Sequence, residues 1–259
     1  MIVPHGGPDK GLRFRPVARS LRDGMIRVAA VGDPMTSKLA FIHTSHVLIP
    51  TFTALAKKIL PELETFHMTD ESLIKNTIAA QSLTRTTVRR LVAMIGSAHE
   101  AGADAVMVTC SSIGPGVQVA REVYDFPVLR VDEAMAESAV RKGRRIGVAA
   151  TLSTTLEPTI QLIEDTAARE GRAVEILPSL CEGAFEAVIA GDTERHDSLV
   201  ERALDDLRTR ADVIVLAQAS MVRVLARLSA GGPPLLSSPE LALQKARAML
   251  VEEPVAAVR

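Results

Sequence analysis

Short apolar runs bounded by hydroxyl, glycine and proline residues recur along this chain, with amphipathic stretches between them. The runs at 39–42, 64–67, 105–108 and 127–131 are long enough for buried strands and too short for free-standing helices. A second series follows at 145–150, 174–177, 213–216 and 235–236. Helical spacing is expected at 48–60, then in one long region through Val88, Leu91, Val92 and Ile95 to Gly102, then at 113–122 and 132–140. In the second series it is expected from Thr155 to near Gly171, at 184–190, at 193–210, briefly up to Leu228, and at 239–251. Strand and helix alternating throughout imply parallel sheets joined by right-handed crossovers.

The two series are one pattern written twice. Ala103-Asp104 meets Ala211-Asp212, the following apolar runs coincide, and Ser112 meets Ser220. The run 38–44 matches 145–151, Pro50-Thr51 matches Pro158-Thr159, and the strand opening at Pro127 matches the one after Pro233-Pro234. The fold class is therefore α/β, with two pseudo-symmetric, Rossmann-like parallel-sheet halves from an internal duplication. Ligands in such sheets sit beyond the carboxyl ends of the strands, so the active site is expected in the cleft between the halves. The expected division is an N-terminal extension at 1–37, a first half at 38–131 and a second at 132–237. The last helix, 238–251, returns to pack on the first half.

The strand exits carry the chemistry. The run 105–108 ends in Thr109, Cys110, Ser111 and Ser112, immediately before a helical segment. A thiol at such a junction lies near unpaired backbone N–H groups and the positive end of a helix dipole, which favour a thiolate and attract a carboxylate. An inert buried cysteine is the competing reading. In the duplication Cys110 falls opposite Gln218, and the two would face one ligand from opposite sides. His43, Thr44, Ser45 and His46 leave the first strand, and Thr151, Thr154 and Thr155 leave its counterpart. Asp70, after the second strand, suits a helix N-cap. Cys181 falls opposite Asp70 and could reach the cleft edge or be a strand-end cysteine without chemistry; Glu71 and Glu182 are similarly placed.

Composition narrows the classes. The 259 residues are 47% hydrophobic and 24% charged, enough for a substantial core, and the net charge is -1. Without a basic stripe interleaved with aromatics, nucleic acid is excluded as the expected partner. Six Phe, one Tyr and no Trp favour a site built from hydroxyls and backbone amides over one that stacks large planar ligands. Two cysteines are too few for a disulfide framework, so the chain reads as cytoplasmic with free thiols. No apolar run approaches the roughly 20 residues of a membrane span, and no secretory signal precedes the repeat. Residues 1–37 read as a peripheral extension with a short strand at 26–31, and Met25 and Met35 offer alternative starts. No dinucleotide or Walker-type glycine motif occurs, and Ser220 lacks a hydrolase elbow. His43 and His46 have no third partner in sequence reach, so no metal is expected.

The segment from Gly102 through Thr109-Cys110-Ser111-Ser112 to Pro115, the segment from Gly147 through Thr151 to Thr154-Thr155-Leu156, and the run 211–216 together resemble the aspartate/glutamate/hydantoin racemase superfamily. That group also includes maleate isomerase and arylmalonate decarboxylase. The resemblance covers roughly residues 38–250. It implies no metal, flavin or pyridoxal phosphate, a small carboxylate or hydantoin-like substrate, and often a homodimer. The racemases of the group use two facing cysteines, one taking and one giving a proton beside a carboxylate. By position Cys110 matches the first, and Ser111 and Ser112 match the carboxylate-binding positions. Thr44, Ser45, Thr151, Thr154 and Thr155, with Asp70, Thr109 and Ser220 nearby, match pocket-lining loops.

The second cysteine would fall at Gln218, and a carboxamide is no general base near neutral pH. One-sided chemistry is therefore expected alongside racemisation: isomerisation, decarboxylation with protonation, or carbon–carbon cleavage. Cys181 is the reserve candidate for a second acid. A non-catalytic carboxylate-binding protein on the same scaffold is the reading from a different class.

Overall fold

The computed structural model describes residues 37–252. The expected N-terminal extension, apart from Ser37, and its short strand fall outside the described residues. The first sheet runs β2-β1-β3-β4 and the second β6-β5-β7-β8, both wholly parallel. The elements of the first half are β1 (Lys38–His43), α1 (Ile49–Ile59), β2 (Glu64–Thr69), α2 (Glu71–Ala80), α3 (Arg85–Glu100), β3 (Ala105–Val108), α4 (Gly116–Val123) and β4 (Val128–Arg130). Next come α5 (Glu133–Lys142), β5 (Arg145–Ala150), α6 (Ser153–Arg169), β6 (Glu175–Leu180), α7 (Ala184–Ile189) and α8 (Thr193–Arg208). β7 (Val213–Leu216), β8 (Leu235–Ser237) and α9 (Ser238–Arg247) complete the series.

The repeated Ala-Asp pair has a structural cause. Asp104, at the entry to β3, accepts from the backbone N–H of Lys38 at 2.8 Å. Asp212, at the entry to β7, accepts from the N–H of Arg145 at 2.7 Å and from that of Arg144 at 3.1 Å. Each carboxylate fixes the starting register of the neighbouring strand, where an edge-facing amide would otherwise go unpaired.

Side chains alternate across both sheets, as the period of two requires. Leu39, Phe41, Ala105 and Met107 pack on one face of the first sheet against α1, whereas Ala40, Ile42, Val106 and Val108 pack on the other against α3 and α4. In the second sheet Ile146, Val148, Val213 and Val215 meet α5 and α6, and Ala149, Ile214 and Leu216 meet α8.

The halves exchange their final helices. α5 follows the first sheet but buries Met135, Ala136 and Ala139 with β5 and β7 of the second. α9 follows the second sheet but buries Ala242, Leu243 and Ala246 against Leu39, Phe41 and Phe52 of the first. Lys245 of α9 meets Glu137 of α5 at 2.5 Å where the two helices touch.

Several elements depart from the sequence expectation. The long helical region before Gly102 is two helices, α2 and α3, parted where Gln81 adopts a left-handed conformation (φ 51°) and Thr84 caps α3. The segment after Cys110 begins as a single 3-10 turn, Ser111–Ile113, before α4. β6 continues through Pro178 to Leu180, beyond the expected end at 177. β6 lies at the sheet edge, where a missing N–H costs no ladder bond.

Candidate functional site

The same backbone feature ends β3 and β7. Cys110 (φ -123°, ψ 116°) and Gln218 (φ -135°, ψ 136°) each cap a 3-10 turn, Ser111–Ile113 and Ala219–Arg227 respectively. The second pair of strand ends matches too: Asp70 N–H donates to the His43 carbonyl, and Cys181 N–H to that of Ala150, at 3.0 and 2.8 Å. The halves meet at these exits. Ser112 Oγ and Thr155 Oγ1, one from each half, are 2.8 Å apart, and Ser153 Oγ donates to Gln81 Oε1 at 3.4 Å.

Cys110 is partly exposed, and its sulfur lies among donors: the Thr44 hydroxyl, the Ser112 hydroxyl, and the backbone N–H groups of Ser112 and Ile113. Those donors favour a thiolate, but burial outweighs them and holds the thiol above its ordinary range. This reverses the depressed pKa expected from the strand–helix junction. The junction does supply donors, but a 3-10 turn brings less aligned dipole than a full helix and its residues Ser111, Ser112 and Ile113 are buried around the sulfur.

Gln218 is held in one orientation. Its Oε1 accepts from the Thr151 backbone N–H at 2.6 Å and from the Thr151 hydroxyl at 2.9 Å. A backbone N–H can only donate, so the atom facing it is the amide oxygen, and the NH2 end remains for other partners. Thr154 Oγ1 is buried without a hydrogen-bond partner among the described residues, one residue from the Ser112–Thr155 contact.

The other singled-out residues fall elsewhere or in supporting places. Asp70 caps α2 through Ser72 N–H at 3.0 Å and binds Arg90 at 2.5 Å, which satisfies its carboxylate. Ser45 caps a short turn without a side-chain bond, and Ser220 is exposed. Ser111 is buried beside Cys110. Cys181 is 3% exposed and packs among Ala149, Ala184, Val200 and Leu204, where burial alone pushes its thiol up to about 11. Glu71 is bound to His46 and Lys75 at the surface. Among the described residues no group of three or more His, Cys, Asp or Glu side chains could hold a metal ion.

Sequence reasoning missed a buried chain beneath this site. His43 is fully buried, with Nδ1 2.8 Å from Thr109 Oγ1 and Nε2 2.9 Å from His67 Nδ1. His67 Nε2 in turn lies 2.9 Å from Thr53 Oγ1. Thr109 donates to the Ile42 carbonyl at 3.0 Å, so it must accept from His43, and each imidazole then carries its hydrogen on Nδ1. The chain ties the end of β1, which continues into Thr44, to the end of β3, which continues into Cys110. Two histidines in separate runs give no sequence signal of their own; their pairing depends on register, with His67 opposite Phe41.

Two parallel-sheet lobes define a duplicated α/β protein, and a thiol at the exit of the third strand with hydroxyls at the facing exits makes the junction of its halves the candidate site. The sequence profile of the Asp/Glu/Hydantoin racemase family matches residues 42–246, and the chain belongs to that family. A hydantoin racemase from Rhizobium meliloti is 29% identical over 167 residues, which are 62% of this chain and 66% of that protein. The chain thus aligns with slightly less than two thirds of that relative's length. Among solved structures, an allantoin racemase from Klebsiella pneumoniae superimposes with a TM-score of 0.63 at 18% identity, covering 85% of this chain and 90% of that one. A glutamate racemase from Francisella tularensis gives a TM-score of 0.65 at 15% identity, covering 86% and 84%. These likenesses establish the fold.

Proposed function

We propose that this chain is a cofactor-independent racemase- or isomerase-type enzyme. Cys110 moves a proton at the carbon next to a carboxylate or carbonyl of a small acid or hydantoin-like ring. The observation that carries the reading is the position of the Cys110 sulfur among two hydroxyls and two backbone N–H groups at the junction of the halves. Such donors stabilise the sulfur when it has given up its proton, and their neighbours hold the enediolate-like charge that develops on the substrate. In this reading the Thr154 hydroxyl, which has no partner among the described residues, binds the substrate's anionic oxygen. On the opposite side Gln218 offers an amide N–H and no base.

Proton transfer is then one-sided. In the abstraction direction the Cys110 thiolate takes the α-proton, the C–H electron pair enters the adjacent carbonyl system, and the same thiol returns the proton on the same face. That return exchanges the α-hydrogen with solvent when it goes back to the same carbon and isomerises the substrate when it goes to another atom of the conjugated system. A second reading draws support from the raised pKa of Cys110. Its thiol form predominates at neutral pH and is ready to deliver a proton, as decarboxylation requires. There the C–CO2 bond breaks, carbon dioxide leaves, the electron pair forms the enediolate, and the Cys110 S–H protonates it. The thiolate then regains its proton from water.

Proton NMR in D2O tests both readings, with amino acids, hydantoins and substituted malonates each run beside Cys110→Ala. The expected result is deuterium at one carbon of one substrate class, slowed at least about 100-fold in the variant. Uptake that survives Cys110→Ala, or none on any substrate, would sink the proposal.

A further inference from the structure

We propose that the reacting carbon of the substrate carries an uncharged, apolar substituent, and that a cavity beside the strand exits of the second half selects it. This inference rests on the proton-transfer reading above and names the substrate's variable group. The cavity holds about 540 Å³ and opens between α2 of the first half and the β5 and β6 exits of the second. A pocket of that size accommodates a small ligand or one large side chain. Thr151 and Ser153 line it, the first bonded to Gln218 and the second two residues before Thr155, so it adjoins the site around Cys110.

Its walls are Ile78, Leu180, Phe185 and Ile189. Leu180 is 38% and Ile189 70% exposed, large apolar surfaces left uncovered where they converge on one hollow. Isolated exposed aliphatic residues need no explanation, but a shared concave surface does. A substituent that fills it removes apolar area from water at roughly 25 cal/mol per Å².

The charges exclude the other class of substituent. No lysine or arginine lines the cavity, whereas Glu182 and Glu186 do, and neither has a cationic partner among the described residues. An anionic side chain placed there would meet two carboxylates and no counter-charge. Selectivity thus has an attractive part, the apolar walls, and a repulsive part, the two glutamates.

Three hydantoins with the same ring and different 5-substituents make the test: isobutyl, benzyl and 2-carboxyethyl. Dissociation constants are measured calorimetrically on the full chain carrying Cys110→Ser, and deuterium uptake on the unaltered protein. The isobutyl and benzyl ligands are expected to bind at least tenfold more tightly than the carboxyethyl ligand. Phe185→Ala should weaken the two apolar ligands alone. Ile189→Lys, at an exposed position where folding is not at stake, should narrow the preference by offsetting one of the two glutamate charges. Equal or tighter binding of the carboxyethyl ligand overturns the inference, as does failure of both apolar ligands to bind. Apolar selectivity without deuterium uptake would retain the cavity's role and remove proton transfer. Uptake fastest on the carboxyethyl ligand would do the opposite.

Discussion

Gln218 shows how one residue changes what a duplicated site can do. Its amide oxygen is committed to two donors of Thr151, so under the proposed mechanism the second half offers a neutral donor where the first offers a thiol. Gln218→Cys would restore an ionisable group on the opposing face without lengthening the side chain. The expected outcome is loss of optical activity in a substrate that the unaltered protein only exchanges, followed by polarimetry beside NMR. Retained configuration in that variant would place the second proton path elsewhere. His43 supplies a residue-scale prediction about pH. Burial first, and the neighbouring His67 second, lower its pKa from 6.5 to about 4. The unfolded side chain therefore takes up a proton at a higher pH than the folded one. Stability is complete above pH 6.5 and falls as the pH drops toward 4, by on the order of 3 kcal/mol over that window. Urea titrations at pH 7 and pH 4.5 should show the loss, and His43→Gln should flatten it.

At the scale of elements, α9 is where packing decides most. Leu243 is fully buried under the first sheet, and Leu243→Ala should cost about 2–5 kcal/mol. The urea midpoint should fall while the slope stays constant, because the surface exposed on unfolding is nearly unchanged. The alternating apolar runs made the order of strands and helices legible, since a buried parallel strand and an amphipathic helix leave different periods. The duplication was legible because Ala-Asp pairs and strand exits recur at nearly constant spacing. The break at Gln81 was not, because a left-handed glutamine carries no glycine or proline to mark it. The Cys110 junction was legible as a place but not as an electrostatic environment. Whether donors or desolvation prevail over a thiol depends on the packing of both halves, which no local run encodes. The His43–His67 chain was illegible for a related reason, being a product of register between two strands.

For the whole molecule, the candidate site lies where the two halves touch. Ser112 and Thr155 join the halves through a hydroxyl pair beside Cys110, and Ser153 and Gln81 through a second hydrogen bond. The duplication also sets Gln218 at the strand exit that corresponds to that of Cys110, so two equivalent positions of a nearly symmetric shell carry different chemistry.

The exchanged helices say something about the origin of that shell. α5 and α9 bury corresponding positions, Met135, Ala136 and Ala139 against Ala242, Leu243 and Ala246. Each covers the sheet built from the other series of strands, not the one it follows in the chain. A half-length polypeptide would leave its floor bare while holding out a helix shaped for another copy's floor, the arrangement of a swapped pair. A fragment spanning 37–142 is therefore expected to run as a dimer in sedimentation. Dilution should unfold it instead of releasing folded monomers. The present chain would then be such a pair fused end to end, its affinity for itself converted into the stability of a single molecule.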